Sequence, residues 1–386
     1  MTPGARVAAA STSLDQINDG GAAERALTGW ARASRFAGSK DRAAIRDHVF
    51  DVLRTRRSLG DGDGRQLMQQ LLQRDGADVA AFFDGQGHAP EPLTTTELAR
   101  LAQPAVISEA AAHDVPEWLW PQWCTSLGGS AQAAARALQR RADVFVRLNT
   151  RRAQPDQVIA MLADDEIVAE CHVSIPACLR VTGKARRLKS SAAYLEGLIE
   201  LQDAASQWAV HRIKVPQGGR VLDYCAGGGG KALAFADQQD VSVFAHDIAP
   251  HRMNDLPVRA ARAQVTIKRL ATSELPQHAP FDVVFCDAPC SGSGTWRRTP
   301  DAKWRLTSER LAELTKIQAG VLDQAASLVT DTGCLAYATC SVLADENSAV
   351  IEAFITRHPC WQVQDQHLRV PGSDGDGFFL CIMVQK

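Results

Sequence analysis

Arg220-Val221-Leu222-Asp223-Tyr224 passes without a break into Cys225-Ala226-Gly227-Gly228-Gly229-Gly230-Lys231. The first stretch reads as a buried strand, because its apolar run is short and ends at glycines. Four successive glycines let a ligand approach the backbone closely, and a helix opening at Lys231 offers free N–H groups to it. Gly227, Gly229 and Ala232 also satisfy the dinucleotide fingerprint literally, a match that any glycine-rich segment produces easily. A phosphate-cradling P-loop does not fit: Ala232 follows Lys231 where Ser or Thr is required, and Cys225 stands where the first glycine should be.

From Gly218 onward the pattern alternates. Strands are expected over 220–224, 241–247, 265–268, 281–287, 334–340 and 378–385, and helices over 231–238, 250–263, 308–329 and 344–357. This alternation implies an α/β domain, a parallel sheet with helices on both faces and ligands at the carboxyl ends of its strands. Asp247, at the end of the second strand, is placed to accept hydrogen bonds from ribose hydroxyls. That role suits NAD and S-adenosylmethionine equally, and capping the turn before Pro250 is the alternative.

Residues 1–135 lack convincing strands. Ile45, Val49, Val52, Leu53 and Arg56 form one stripe of a helix over 40–59. Asp61-Gly62-Asp63-Gly64 ends it, and further helices are expected over 65–83, 95–103 and 130–142, giving an all-α unit. Residues 136–215 read as a small α+β segment, with a strand at 144–148, a helix at 155–163 and one or two strands within 171–181. Between Arg136 and Lys189 there are eleven Lys and Arg against six Asp and Glu, densest at Arg180, Lys184, Arg186, Arg187 and Lys189. Residues 216–386 complete the chain as the α/β domain.

The 386 residues, 45% hydrophobic and 22% charged, suffice for a buried core. With 42 Lys and Arg against 44 Asp and Glu, the net charge of −2 excludes a uniformly basic coat but not a local basic face. No apolar run approaches the ~18 to 20 residues of a membrane span, and the first fourteen residues lack the apolar core of a secretory signal, so a cytoplasmic location is expected. The ten cysteines include no Cys-x-x-Cys pair, so no metal site is expected and most should be buried thiols.

Two cysteines stand apart. The strand at 281–287 delivers Asp287-Ala288-Pro289-Cys290-Ser291-Gly292 to the ligand edge, and the strand at 334–340 delivers Cys340 to the same edge. Neighbouring parallel strands lie about 4.8 Å apart, so both thiols can face one substrate. Cys286 and Cys334 are expected in the core, and Cys225 either in the core or at the loop. Methylation of a pyrimidine at carbon 5 needs such a thiol. A thiolate added to carbon 6 breaks aromaticity and turns carbon 5 into a nucleophilic enamine carbon, and a carboxyl group that is protonated or shares a proton can engage ring nitrogen 3, a role open to Asp287. Hydride transfer to NAD has no use for this arrangement.

Asp223-x-Cys225-Ala226-x-x-Gly229-Gly230-Lys231, Asp287-Ala288-Pro289-Cys290-Ser291-Gly292 and Tyr337-Ala338-Thr339-Cys340-Ser341 with Glu346-Asn347 together resemble the S-adenosylmethionine-dependent RNA cytosine-5 methyltransferases of the RsmB/Sun (NOP2/Sun) family. Arg297-Arg298-x-Pro300-Asp301-x-Lys303-Trp304, Gln202-Asp203-x-Ala205-Ser206 and Gly375-Asp376-Gly377-Phe378-Phe379 match as well. The resemblance covers 143–386, and Asp41-Arg42 with Val52-Leu53-Arg54 extends it faintly to the N-terminal helices.

The resemblance implies a class I, Rossmann-like methyltransferase domain, preceded by a NusB-like RNA-binding domain and the α+β segment. It implies methyl transfer from S-adenosylmethionine to cytosine carbon 5 in RNA, with 16S ribosomal RNA as substrate and the protein acting as a monomer. Transfer RNA, and a non-catalytic RNA-binding homologue, are the alternatives. Carried over by position, the nucleophile falls on Cys340 and the second cysteine, which assists product release, on Cys290. Cofactor contacts fall on Cys225, Ala226, Gly227, Gly228, Gly229, Gly230, Lys231, Asp247 and Asp287. Gly228 stands where the family usually has Pro, Ala232 where it has Thr or Ser, and Ala271 where it has a carboxylate, so a modest cofactor affinity is expected. Arg186, Arg187, Arg297, Arg298 and Lys303 are the expected phosphate contacts. Trp304 suits either base stacking or the core.

Overall fold

The computed structural model describes residues 1–103, 106–238 and 240–386. The chain divides into two compact units, Met1–Cys124 with Gly128–Arg141 and Trp296–Thr307, and Thr125–Leu127 with Ala142–Thr295 and Ser308–Lys386. Most of the segment 136–215 falls in the same unit as the α/β domain, and Trp296–Thr307, which sequence order places in the α/β domain, groups with the helices.

The helical unit contains Pro3–Asn18, Ala23–Ala33, Ser39–Arg54 and Gly64–Arg74 around one apolar cluster. Ile45, Val49, Val52 and Leu53 are all buried in it, as their spacing predicts. Gly64 is required where two helices meet: a Cβ there would lie 2.0 Å from the Ser11 carbonyl oxygen, and its N–H donates to Asp15 at 2.6 Å. The segment Trp296–Thr307 is knitted into these helices. Trp296 stacks on Trp123 with ring centroids 5.9 Å apart, Trp304 Nε1 donates to the Leu53 carbonyl at 2.7 Å, and Arg54 Nε donates to the Arg297 carbonyl at 2.8 Å.

The second unit holds two sheets. β1 (Val144–Leu148), β2 (Val168–Cys171), β3 (Cys178–Gly183) and β4 (Ile199–Leu201) form an antiparallel sheet in the order β2-β3-β1-β4. β5 (Arg220–Asp223), β6 (Ser242–Ala245), β7 (Ile267–Arg269), β8 (Phe281–Asp287), β9 (Val329–Thr339), β10 (Trp361–Arg369) and β11 (Phe378–Gln385) form a seven-stranded sheet in the order β10-β11-β9-β8-β5-β6-β7. The five strands from β9 to β7 run parallel, while β11 and β10 are antiparallel at one edge. Ala204–Arg212, Gly230–Ala236 and Leu256–Ala263 cover one face, and Ser308–Ala326 with Ser348–Arg357 cover the other.

The strand order reverses between β5 and β8, which opens a crevice at their carboxyl ends. The sheets are tied by a buried ion pair, Arg147 to Asp237 at 2.7 Å, and by Asn149 Nδ2 donating to the Ala263 carbonyl at 2.8 Å. β10 escapes the sequence reading because its polar, largely exposed residues become a strand only by pairing with β11. β4 is too short to leave a periodic signal. Among the described residues no helix is long and apolar enough to cross a membrane.

Candidate active site

The crevice is an open cavity of about 520 Å³. Cys225 to Gly228, Gly230 and Lys231 line one side, and Asp287 to Cys290 with Cys340 line another. Gly227 and Gly229 adopt φ of +51° and +78°, the left-handed region that glycine enters without strain. At Gly229 a Cβ would also fall 2.3 Å from Leu256 Cδ1, so the turn closes against the following helix. Gly228 and Gly230 face only the guanidinium of Arg259 and the Gln202 amide, so the loop's ligand side is bounded by movable side-chain tips.

Register explains the cysteines. Asp287 of β8 pairs with Ala338 of β9, so the two strands end almost level and release Cys290 and Cys340 together. The two Sγ atoms lie 3.4 Å apart. Either thiol can donate to the other at this distance; with Cys290 as donor, Cys340 is held below the usual thiol value against burial and the Asp287 carboxylate, which both raise it, and Lys231 adds a smaller lowering. Cys290 is correspondingly raised by that contact and by burial. Cys340 is thus the sulfur disposed to be the thiolate, the nucleophilic form.

Lys231 Nζ donates to Asp287 Oδ2 at 2.5 Å. Burial alone would lower the ammonium, but Asp287 and Asp223 beside it hold it above its ordinary value. Asp223 is buried under the loop, and burial pushes its carboxyl up to about 7 despite Lys231. Asp247 stands at the strand end as expected but is fully engaged. Its Oδ2 accepts from the Gly227 N–H at 2.9 Å and pairs with Arg252 at 3.1 Å, and its Oδ1 accepts from the Ala249 N–H at 2.9 Å. It therefore caps the turn and fastens the loop. Ala271 is exposed in the turn after β7, its N–H taken by Glu274 at 2.7 Å.

The expected phosphate contacts separate. Lys303 is 2% exposed and donates to the Arg54 carbonyl at 3.3 Å, and Arg297 is 4% exposed. Burial removes both from a phosphate-facing surface. Trp304 is likewise a packing residue. Arg298, Arg186 and Arg187 are exposed, but Arg187 and Lys184 both pair with Glu166, and Arg180 pairs with Asp143 at 2.8 Å. Part of that positive excess is therefore neutralised internally.

A basic site the sequence reading missed lies in the helical unit. A groove of about 600 Å³ is lined by Leu27, Trp30, Arg32, Arg35, Arg42 and the Glu24–Arg46 pair. Arg32, Arg35 and Arg42 are exposed and have no carboxylate partner among the described residues, and Phe36 beside them is 75% exposed. The signal was present as cations interleaved with Trp30 and Phe36. Helix periodicity does not disclose it, because exposed cations carry no apolar period. Cys286 is buried as expected, Cys334 is partly buried, and Cys225 lies at the cavity wall. Among the described residues no group of His, Cys, Asp and Glu could hold a metal ion.

A doubly wound sheet with this strand order, a glycine loop after β5 and a close thiol pair after β8 and β9 defines a class I methyltransferase. Residues 211–377 match the family model of 16S rRNA methyltransferase RsmB/F, and residues 115–186 match the ferredoxin-like domain of the same proteins. The chain is 30% identical over 303 residues to the ribosomal RNA small subunit methyltransferase B of Citrobacter koseri, covering 74% of this chain and 70% of that one. The chain belongs to the RsmB/F methyltransferase family. Its fold is shared along its whole length with the crystal structure of PH0851, at 21% identity, a TM-score of 0.76 and 99% coverage of that chain. A methyltransferase homolog protein from Pyrococcus horikoshii matches 76% of this chain and 100% of its own, at 19% identity and a TM-score of 0.62.

Proposed function

We propose that the protein transfers a methyl group from S-adenosylmethionine to carbon 5 of a cytosine in RNA, with 16S ribosomal RNA as substrate, through a transient bond from Cys340 to the base. The observation that carries this reading is the 3.4 Å approach of Cys290 and Cys340 at the wall of the glycine-loop cavity. The RNA substrate is supported by the family and by the name of the Citrobacter koseri relative. The same reading makes the protein a cytoplasmic, monomeric enzyme.

The cavity volume lies within the ~300 to 1,000 Å³ of small-molecule sites. Cys225 to Lys231 would cradle the cofactor, with Asp247 on the ribose side and Asp287 toward the reacting end. The bound cofactor supplies an electrophilic methyl group on a sulfonium. Cys340, as thiolate, adds to carbon 6 of the cytosine. Asp287 and Lys231 hold a proton between carboxylate and ammonium and share it with ring nitrogen 3, which lets carbon 5 act as the nucleophile. After methylation the carbon-5 proton passes to water and its electron pair restores the carbon 5–carbon 6 double bond. The carbon–sulfur bond breaks with its electrons on Cys340. Cys290, with its thiol as donor toward that sulfur, stabilises the departing thiolate.

The target carbon must be unstacked to be reached, so the cytosine is single-stranded or flipped out. In the helical unit, Arg32, Arg35 and Arg42 suit the phosphates of a strand and Trp30 and Phe36 suit its bases.

The test is methyl transfer to cellular RNA with bisulfite mapping, using wild-type protein, Cys340→Ala and Cys290→Ala. Cys340→Ala is expected to abolish methylation and any covalent complex. Cys290→Ala is expected to accumulate a protein–RNA adduct that needs S-adenosylmethionine and disappears in the double variant. An adduct from Cys340→Ala alone would exchange the two roles. Methylation surviving in both single variants would end the covalent mechanism. Modified transfer RNA with unmodified ribosomal RNA would change the substrate.

A further inference from the structure

Beneath the two thiols lies a buried polar cluster to which the mechanism above assigns no part. Glu346 is completely buried in the turn Ala344–Glu346 after β9. Its Oε1 accepts the Ser291 N–H at 2.7 Å, and its Oε2 accepts the Ser291 hydroxyl at 2.5 Å. Gln318 Nε2 also donates to Oε1, at 3.0 Å, while reaching the Pro289 carbonyl at 2.8 Å. The residues on either side of Cys290 are therefore both gripped, one by Glu346 and the other by Gln318.

The next residue does the same for the other cysteine. Asn347 Nδ2 donates to the Ser341 carbonyl at 3.0 Å, and its Oδ1 accepts the Thr339 hydroxyl at 2.6 Å, on the two sides of Cys340. Tyr337 anchors the pair from β9 through a 2.7 Å bond to the Glu346 carbonyl. Two adjacent residues of one turn thus hold both cysteine-bearing segments. Burying a carboxylate costs several kcal/mol unless hydrogen bonds replace its water, and here the replacements come from the Cys290 loop and Gln318. No cation lies within ion-pairing distance of Glu346 among the described residues.

We infer that Glu346 is a positioning residue that sets Cys290 against Cys340, and so governs the release half of the reaction. The inference rests on the proposed roles of the two cysteines. Without the carboxylate the loop at 289–291 loses its grip, and Cys290 drifts from the sulfur that must leave. Cys340 keeps its own anchors through Asn347, so addition and methyl transfer continue while release slows. The electron flow is that of normal release: the carbon-5 proton goes to water, its electron pair closes the double bond, and Cys340 departs as thiolate.

The experiment compares wild-type protein, Cys290→Ala, Glu346→Ala and Glu346→Gln with RNA and S-adenosylmethionine. Glu346→Ala is expected to bind S-adenosylmethionine within about twofold of wild type, to turn over roughly tenfold to a hundredfold more slowly, and to accumulate the covalent adduct although Cys290 is present. Glu346→Gln keeps one acceptor and the side-chain shape, so it is expected to regain most of the turnover and lose the adduct. Adduct in Cys290→Ala but none in Glu346→Ala would overturn the inference. No adduct in Cys290→Ala, with methylation still dependent on Cys340, would instead overturn the role given to Cys290. If Glu346→Ala loses cofactor binding through misfolding, Ser291→Ala decides. That variant removes the hydroxyl through which Glu346 Oε2 holds the Cys290 loop, while the buried carboxylate keeps the Ser291 N–H and Gln318 as donors, so adduct in it supports the inference and its absence defeats it.

Discussion

The Lys231 ammonium sits 2.5 Å from the Asp287 carboxylate, joining the helix after the glycine loop to the last residue of β8. This pair links the glycine-loop side of the cavity to the wall that carries Cys290 and Cys340, and Lys231 also contributes to lowering Cys340.

Replacing Lys231 with Met should therefore affect the thiolate as well as the carboxylate. With the cation gone, the folded Cys340 value rises, less thiolate exists at neutral pH, and the ascending limb of the pH–rate profile moves to higher pH. Single-turnover methylation from pH 6 to 9 checks this. A uniform rate loss with an unshifted limb would show that Lys231 acts elsewhere.

Asp223 carries a pH dependence of stability. Burial raises its carboxyl to about 7 in the folded state, against an unfolded value of about 3.9. The native state holds a proton that the unfolded chain releases near pH 4, so its contribution is fully present below about pH 4 and fades as pH rises through about 7. Asp223→Asn should flatten that slope and gain on the order of a few kcal/mol relative to wild type above pH 7. Denaturant unfolding at pH 5 and pH 8 measures it, and equal slopes in the two proteins would remove Asp223 as the cause.

Asp247→Ala should weaken S-adenosylmethionine binding by roughly 1 to 3 kcal/mol, as expected when a charged hydrogen-bond partner is lost. The structure adds a second consequence, because the Gly227 and Ala249 N–H groups lose their acceptor and the loop loosens. Calorimetry and thermal unfolding should both register the change. Unchanged affinity with lowered stability would leave Asp247 a turn cap alone.

Neutralising Arg32, Arg35 and Arg42 together should weaken RNA binding and reduce its log–log salt slope by roughly 2 to 3, leaving cofactor binding intact. Neutralising Arg186 and Arg187 should have a smaller effect, because Arg187 is already paired with Glu166. An unchanged slope in the triple variant would show the groove to be a solvated face. Lys303→Ala, by contrast, should lower stability through lost packing and an unpaired Arg54 carbonyl.

Local information in the sequence determined the α/β character of the C-terminal part, the glycine loop between strand and helix, and the delivery of Cys290 and Cys340 to one edge. Apolar strand runs and glycine clusters are short-range signals, readable without knowing what packs against them. The same holds for the stripe from Ile45 to Leu53. Tertiary structure alone decided the rest. Pairing with β11 made a strand of the polar run Trp361–Arg369. Contacts distant in sequence drew Trp296–Thr307 into the helices and turned Arg297 and Lys303 inward, because a charged residue's exposure depends on what covers it and not on its type. Asp247 became a turn cap by facing Gly227 and Ala249, and Glu346 reached Ser291 across 55 residues of chain. A hydrogen bond between remote segments has no period in sequence, so only the folded chain reveals it.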